Sequence, residues 1–118
     1  SILFVDDEFY LAEVGKDMLE DYGYDVTSVT SSKEALELFE KDPEHFDLVI
    51  TDYTMPELNG VQLADRIKKS KADVPIILCT GISLDFEEID DSDLDRVLMK
   101  PLDMDKLLDN VKEVLGKS

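Results

Sequence analysis

The sequence predicts an α/β fold, a doubly wound parallel sheet of five strands with helices on both faces. Two observations predict it. Short apolar, β-prone runs alternate with longer stretches of helical period along the whole chain, the order that builds parallel sheets rather than hairpins. The first, third and fourth runs are continuously apolar rather than alternating, as strands buried on both faces are. With 118 residues, 43% of them hydrophobic and 35% charged, the chain is long enough to bury one core without staples and reads as one domain over 1–118.

The first strand is Ile2–Val5, stopped by Asp6-Asp7-Glu8. Leu11, Val14, Met18 and Leu19 then recur on one helical face, and Gly23 supplies the helix end. Asp25–Thr30 is the second strand. Ser31 and Glu34 have capping-box spacing and open a helix carrying Ala35, Leu36, Leu38 and Phe39 that stops before Pro43. Phe46–Thr51 is the third strand, ending at Asp52. The turn Met55–Gly60 leads into a helix with Val61, Leu63, Ala64 and Ile67. Pro75 opens the fourth strand, Ile76–Cys79, which ends at Thr80-Gly81. Leu84–Asp91 is a weak helical segment, crowded with acids and anchored only by Leu84, Phe86 and Ile89. Val97–Met99 is the fifth strand, ending at Lys100-Pro101, and Asp103 caps a last helix with Met104, Leu107, Leu108, Val111 and Leu115.

Composition narrows the function. A formal net charge of −17 repels phosphate backbones and anionic lipid, so no nucleic-acid or membrane contact is expected of this domain. No apolar run approaches the roughly 20 residues of a membrane span. Cys79 is the single cysteine, so no internal disulfide forms, and it reads as a buried strand thiol in a cytoplasmic protein. Ser1 is not an initiator methionine and Ile2 already reads as strand, so the chain is expected to be part of a longer one. His45, the single histidine, is expected in a solvated loop, and Glu8 at a helix start, where the dipole favours an acid.

The strand ends carry the chemistry. Right-handed crossovers put every strand's carboxyl end on one edge, where ligands of open parallel sheets bind. Asp6, Asp7, Asp52, Thr80 and Lys100 all stand there. Three carboxylates in one cleft resist ionising together. Lys100 compensates one charge, and a hard divalent cation with oxygen ligands, Mg²⁺ best of all, would compensate the rest. A carboxylate so placed can attack phosphorus while the cation and Lys100 neutralise the phosphoryl oxygens and Thr80 donates a hydroxyl.

Val5-Asp6-Asp7-Glu8, Thr51-Asp52-Tyr53-Thr54-Met55-Pro56 with Gly60, Thr80-Gly81 and Met99-Lys100-Pro101 together resemble the response-regulator receiver family, over essentially the whole chain. The resemblance implies a flavodoxin-like (βα)5 fold with strand order 2-1-3-4-5, an order that belongs to the family rather than to the reading of these residues. It implies that Asp52 is the phosphoacceptor. Asp7, Asp52 and the Thr54 carbonyl would ligate Mg²⁺, and Asp6 would act mainly through a metal-bound water. Thr80 would sense the phosphoryl group, Lys100 would pair with Asp52, and Lys100-Pro101 would be a cis peptide. The partner implied is a histidine kinase or histidine phosphotransfer domain, and the state a monomer or weak dimer. The domain would be a phosphorelay switch with self-catalysed phosphotransfer and dephosphorylation rather than an enzyme. Its wording is similar to receivers attached to hybrid sensor kinases.

The chain departs from the family at Val97, where many members carry Tyr or Phe. It also departs in the acidic segment before the fifth strand (Glu87, Glu88, Asp90, Asp91, Asp93, Asp95), expected to meet a polar or basic partner or to be mobile. Three alternatives stand beside the main reading. An aspartate-nucleophile phosphatase needs a second acid two residues after Asp52, where Thr54 stands. A flavin or nucleotide module needs an anion-binding loop after the first strand, where Asp6-Asp7-Glu8 would repel phosphate. A phosphorylation-independent pseudo-receiver would not need the acids, though Val97 keeps it open.

Overall fold

The computed structural model describes residues 1–81, 94–100 and 103–116. In chain order its elements are β1 (Ile2–Val5), α1 (Phe9–Asp21), β2 (Val26–Val29), α2 (Ser32–Lys41), β3 (Leu48–Asp52), α3 (Gly60–Ser70), β4 (Ile76–Thr80), β5 (Arg96–Met99) and α4 (Met104–Leu115). The five strands form one parallel sheet in the order β2-β1-β3-β4-β5, as expected. The predicted helix over Leu84–Asp91 and the Lys100-Pro101 peptide lie outside the described residues.

The sheet sorts its side chains to two faces by the period of two that a strand imposes. Leu3, Val5, Val49 and Ile76 face one way and pack with Ala35, Phe39, Leu63, Ala64 and Ile67 of α2 and α3. Ile2, Phe4, Leu48, Ile50, Ile77 and Cys79 face the other way and pack with Ala12, Leu19, Leu107, Leu108 and Val111 of α1 and α4. Every residue of β1, β3 and β4 is buried, and each large side chain among them contributes about 1.5–3 kcal/mol of burial.

The helix ends follow local chemistry. Ser31 Oγ accepts the Glu34 N–H at 3.2 Å, and the Asp103 carboxylate accepts from Asp105 and Lys106. A reciprocal capping box unites Asn59 and Gln62 at the start of α3. At the end of α1, Tyr24 N–H donates to Leu19 O and Gly23 N–H to Glu20 O, the two bonds of a Schellman ending with Gly23 at φ +94°.

Three local expectations are corrected. The most buried residues of α1 are Ala12, Gly15 and Leu19, while Leu11, Val14 and Met18 are only half-buried. A Cβ on Gly15 would lie 2.6 Å from the Phe4 ring, so the helix rests on β1 through its smallest residues. Phe46 precedes the third strand instead of belonging to it; its ring stacks on Phe39, 6.0 Å between centroids. Asp95 is no docking charge: its carboxylate accepts the Ile76 N–H at 2.8 Å and faces Lys68 at 3.6 Å, fastening the entry to β4. The other acids of that segment lie outside the described residues. His45 is exposed, as expected, and sets its ring edge-on against Phe46.

Candidate functional site

The strand order reverses between β1 and β3, and both of these strands end in acids. Asp6 follows β1 and is buried, its neighbour Asp7 is exposed, and Asp52 is the last, buried residue of β3. One oxygen from each of Asp6, Asp7 and Asp52 comes within 4.8 Å of the others. Thr80 ends β4, is buried, and pairs in register with Met99 of β5. Its carbonyl accepts the Lys100 N–H at 2.7 Å, a bond that extends the ladder one residue beyond β5 and delivers the lysine to the acids. Lys100 Nζ stands 3.1 Å from Asp52 Oδ1 and 3.4 Å from Asp6 Oδ2. Thr54 is exposed, two residues beyond Asp52. The structure thus brings Asp6, Asp7, Asp52, Thr80 and Lys100 to one edge, with Thr54 in the adjoining loop. Val97 is half-buried in β5 opposite Leu78.

Asp6 has two tasks. Its Oδ1 accepts the Glu8 N–H at 2.9 Å while its Oδ2 faces Lys100. Glu8 stands at the N-cap of α1 without a side-chain capping bond, so a carboxylate two residues upstream satisfies that backbone donor. The pairing of Asp6 with a helix start is not legible from residue types, since any of three successive acids fits the pattern.

Three carboxylates against one ammonium set the ionisation. Burial pushes the Asp52 carboxyl above the ordinary aspartate value, and the charges of Asp6 and Asp7 add to that; the Lys100 hydrogen bond and charge oppose without winning. For Lys100, burial pulls downward, yet the Asp52 hydrogen bond and the fields of Asp6 and Asp52 lift it above the ordinary lysine value. The asymmetry follows from the count: the lone cation gains from several anions, whereas each anion shares it. Cys79, beside Asp52 in register, is pushed by burial up to about 12 and stays a thiol.

A raised carboxyl favours the protonated fold. Asp52 therefore contributes stability fully present below its unfolded value of 3.8 and lost as pH rises through the raised folded value. Asp52→Asn is accordingly expected to stabilise the metal-free domain at pH 7, raising Tm by roughly 4–8 °C per 1 kcal/mol gained, with the gain vanishing below about pH 4. Calorimetry at both pH values, with EDTA present, checks the sign; a lower Tm at pH 7 would show that the Lys100 pairing outweighs burial.

The donor set fits a hard divalent cation. All three donors are carboxylate oxygens, one of them solvent-facing, and two negative charges remain after Lys100 is counted. Mg²⁺ takes few protein carboxylates and keeps several waters, which a cluster open at Asp7 allows.

Comparison with known proteins agrees. The family profile of the response regulator receiver domain matches residues 2–112. The probable transcriptional regulator ycf27 of Porphyridium aerugineum is 34% identical over 118 residues, 98% of this chain and 48% of that protein; the chain thus spans about half the length of this relative. A response regulator receiver domain protein from Clostridium thermocellum superimposes with a TM-score of 0.90 at 29% identity, covering 98% of this chain and 94% of that one. The response regulator TrrA from Thermotoga maritima, solved in complex with Mg²⁺-BeF, does so with 0.88 at 35% identity, covering 97% of each chain. No described helix is long and apolar enough to cross a membrane. Because the match runs from the first strand into the last helix and the acids stand where the sheet reverses, the chain belongs to the response regulator receiver family of two-component signalling.

Proposed function

We propose that the domain is a Mg²⁺-dependent phosphorelay switch that accepts a phosphoryl group on Asp52 from a histidine kinase or histidine phosphotransfer domain. The observation that carries this is the position of Asp52, buried at the end of β3, 3.1 Å from Lys100 and clustered with Asp6 and Asp7. Asp7, Asp52 and the Thr54 carbonyl would hold the cation. Both oxygens of Asp6 already carry bonds, to Glu8 N–H and to Lys100, which supports an indirect role through a water. The cation, when bound, would offset negative charge on the phosphoryl oxygens.

The chain's own residues do the rest. A carboxylate oxygen of Asp52 attacks phosphorus, the bond from phosphorus to the donor's imidazole nitrogen breaks, and an acyl phosphate forms; the nitrogen keeps the electron pair. Lys100 stands ready to move from the carboxylate to the new phosphoryl oxygens. The Thr80 hydroxyl, at the end of the neighbouring strand, donates to the same group. Phe9 and Tyr10, exposed on the first turn of α1 just after Asp7, offer two rings on which a donor could dock. Val97 makes a switch that works through an inward-turning aromatic at that position unavailable. The domain serves a larger regulator, a hybrid kinase or another multidomain protein, a reading supported by the greater length of its relative.

Acetyl phosphate, Mg²⁺ and intact-mass spectrometry test the proposal. The expected result is a gain of one phosphoryl group that disappears with EDTA and in Asp52→Asn. Folded protein that gains nothing from acetyl phosphate or from a phosphorylated histidine donor would overturn it and leave a phosphorylation-independent interaction module.

A further inference from the structure

The loop between Asp52 and α3 holds a backbone conformation that its sequence does not favour. Glu57 has φ +72°, a region open to glycine and costly for a residue with a Cβ. The Leu58 N–H donates back to the Pro56 carbonyl at 3.0 Å, so Pro56–Leu58 form a γ-turn of the strained, positive-φ kind. Directly behind that turn is Ser32, the first residue of α2, 1% exposed. Its Oγ donates to the Pro56 carbonyl at 3.0 Å and accepts the Leu58 N–H at 3.1 Å. One buried hydroxyl thus holds both polar groups that flank Glu57, from an element 24 and 26 residues away.

The same loop carries Thr54. It is closed at its base by the Gly60 N–H donating to the Tyr53 carbonyl at 2.8 Å, and Tyr53 N–H is tied to the Cys79 carbonyl at 2.8 Å. Met55 is buried in the core, and Pro56 has a fixed φ. Thr54 is the exposed residue between these fixed points, so its carbonyl direction depends on how firmly Pro56 is held.

We propose that Ser32 is a positioning residue, a buried latch whose hydroxyl holds the strained turn at Glu57 and so aims the Thr54 carbonyl at the cation held by Asp7 and Asp52. The latch rests on the metal reading given above. It explains why a glutamate is tolerated where the backbone calls for glycine: the strain is held by a side chain from another element. It also makes the requirement conditional. With glycine at 57 the turn is unstrained, and the latch loses its purpose.

The test is a two-by-two set of full-length ¹⁵N-labelled proteins: wild type, Ser32→Ala, Glu57→Gly and the double variant. Leu58 amide exchange is followed without metal, and amide shifts of Asp7 and Asp52 are followed during Mg²⁺ titration. In Ser32→Ala, Leu58 exchange is expected to accelerate and Mg²⁺ affinity to fall about fivefold to tenfold, the effect of losing one or two neutral hydrogen bonds. Glu57→Gly is expected to bind Mg²⁺ like wild type, and the double variant to bind within about twofold of Glu57→Gly, the non-additivity expected of coupled neighbours. A merely structural serine would give additive losses instead, and that result overturns the proposal. Unchanged Mg²⁺ affinity in Ser32→Ala, with wild type binding normally, overturns the latch and leaves the metal site intact. Wild type that shows no Mg²⁺-dependent shifts at Asp7 and Asp52 overturns the metal reading itself, and the latch with it.

Discussion

Lys100→Met is expected to slow phosphoryl uptake on Asp52 about a hundredfold or more, the loss typical of removing one preorganised donor from a charge-developing site. Among the described residues, Lys100 is the one cation paired with Asp52 or Asp6. Methionine keeps the length and apolar body of the stem, so the change isolates the charge. Without the ammonium, burial and the repulsion of Asp6 and Asp7 act on Asp52 unopposed, and its carboxyl rises further from the ordinary value. More of the population then carries a proton on the attacking oxygen at neutral pH. Uptake in Lys100→Met should therefore recover in part as pH rises, as Asp52 ionises. Rates of mass gain from acetyl phosphate between pH 6 and about 9 measure both effects. A rate within about threefold of wild type would mean that Lys100 only packs, a difference too small for lost charge stabilisation.

Gly60→Ala is expected to cost about 3 kcal/mol or more, at the upper end of overpacking effects. A Cβ there would lie 2.4 Å from Leu78 Cδ1 and 2.5 Å from the Asp52 backbone oxygen. Leu78 could turn aside, but the Asp52 carbonyl is part of the β3 ladder and moves only with the strand. The clash therefore reaches the phosphoacceptor itself, and slower phosphoryl uptake should accompany the lost stability. Gly81→Ala is the matched control: its Cβ would meet nothing closer than Lys100 Cβ at 3.5 Å, and a change within about 0.5 kcal/mol is expected. Urea denaturation of the two variants separates crowding from any general effect of replacing glycine. Equal midpoints would contradict the contact at Gly60.

The site was legible because it depends on topology that leaves strong marks. Continuous apolar runs located β1, β3 and β4, and the residues after them were the ones the sheet gathers: Asp6, Asp7, Asp52, Thr80. Lys100 followed from the same rule. What stayed hidden depends on tertiary placement. Ser32 read only as the residue after a helix cap, because nothing in its neighbourhood of sequence announces a turn many residues away. The face of α1 was misread because hydrophobicity ranks Leu11 and Met18 above Gly15, whereas the approach of Phe4 selects the residue with no side chain. Asp95 looked like one more surface acid until the Ile76 amide was found on it. The Asn59–Gln62 box is different: Asn, then Gln three residues on, is a readable capping signal that was passed over in favour of the turn residues before it.

The ion pair of Lys100 with Asp6 spans 94 residues of sequence, and this fixes the order in which the site comes into being. Synthesis runs from the amino end, so Asp6, Asp7 and Asp52 exist before their cation does. A nascent chain that docks β1 against β3 early gathers its acids with no compensating charge, and repulsion between them opposes that docking until β5 arrives. Native-like packing of the first half is thereby held back until the last strand can join. The domain matures as a whole, and a truncated chain ending before Lys100 should be degraded rather than accumulate as a half-formed receiver.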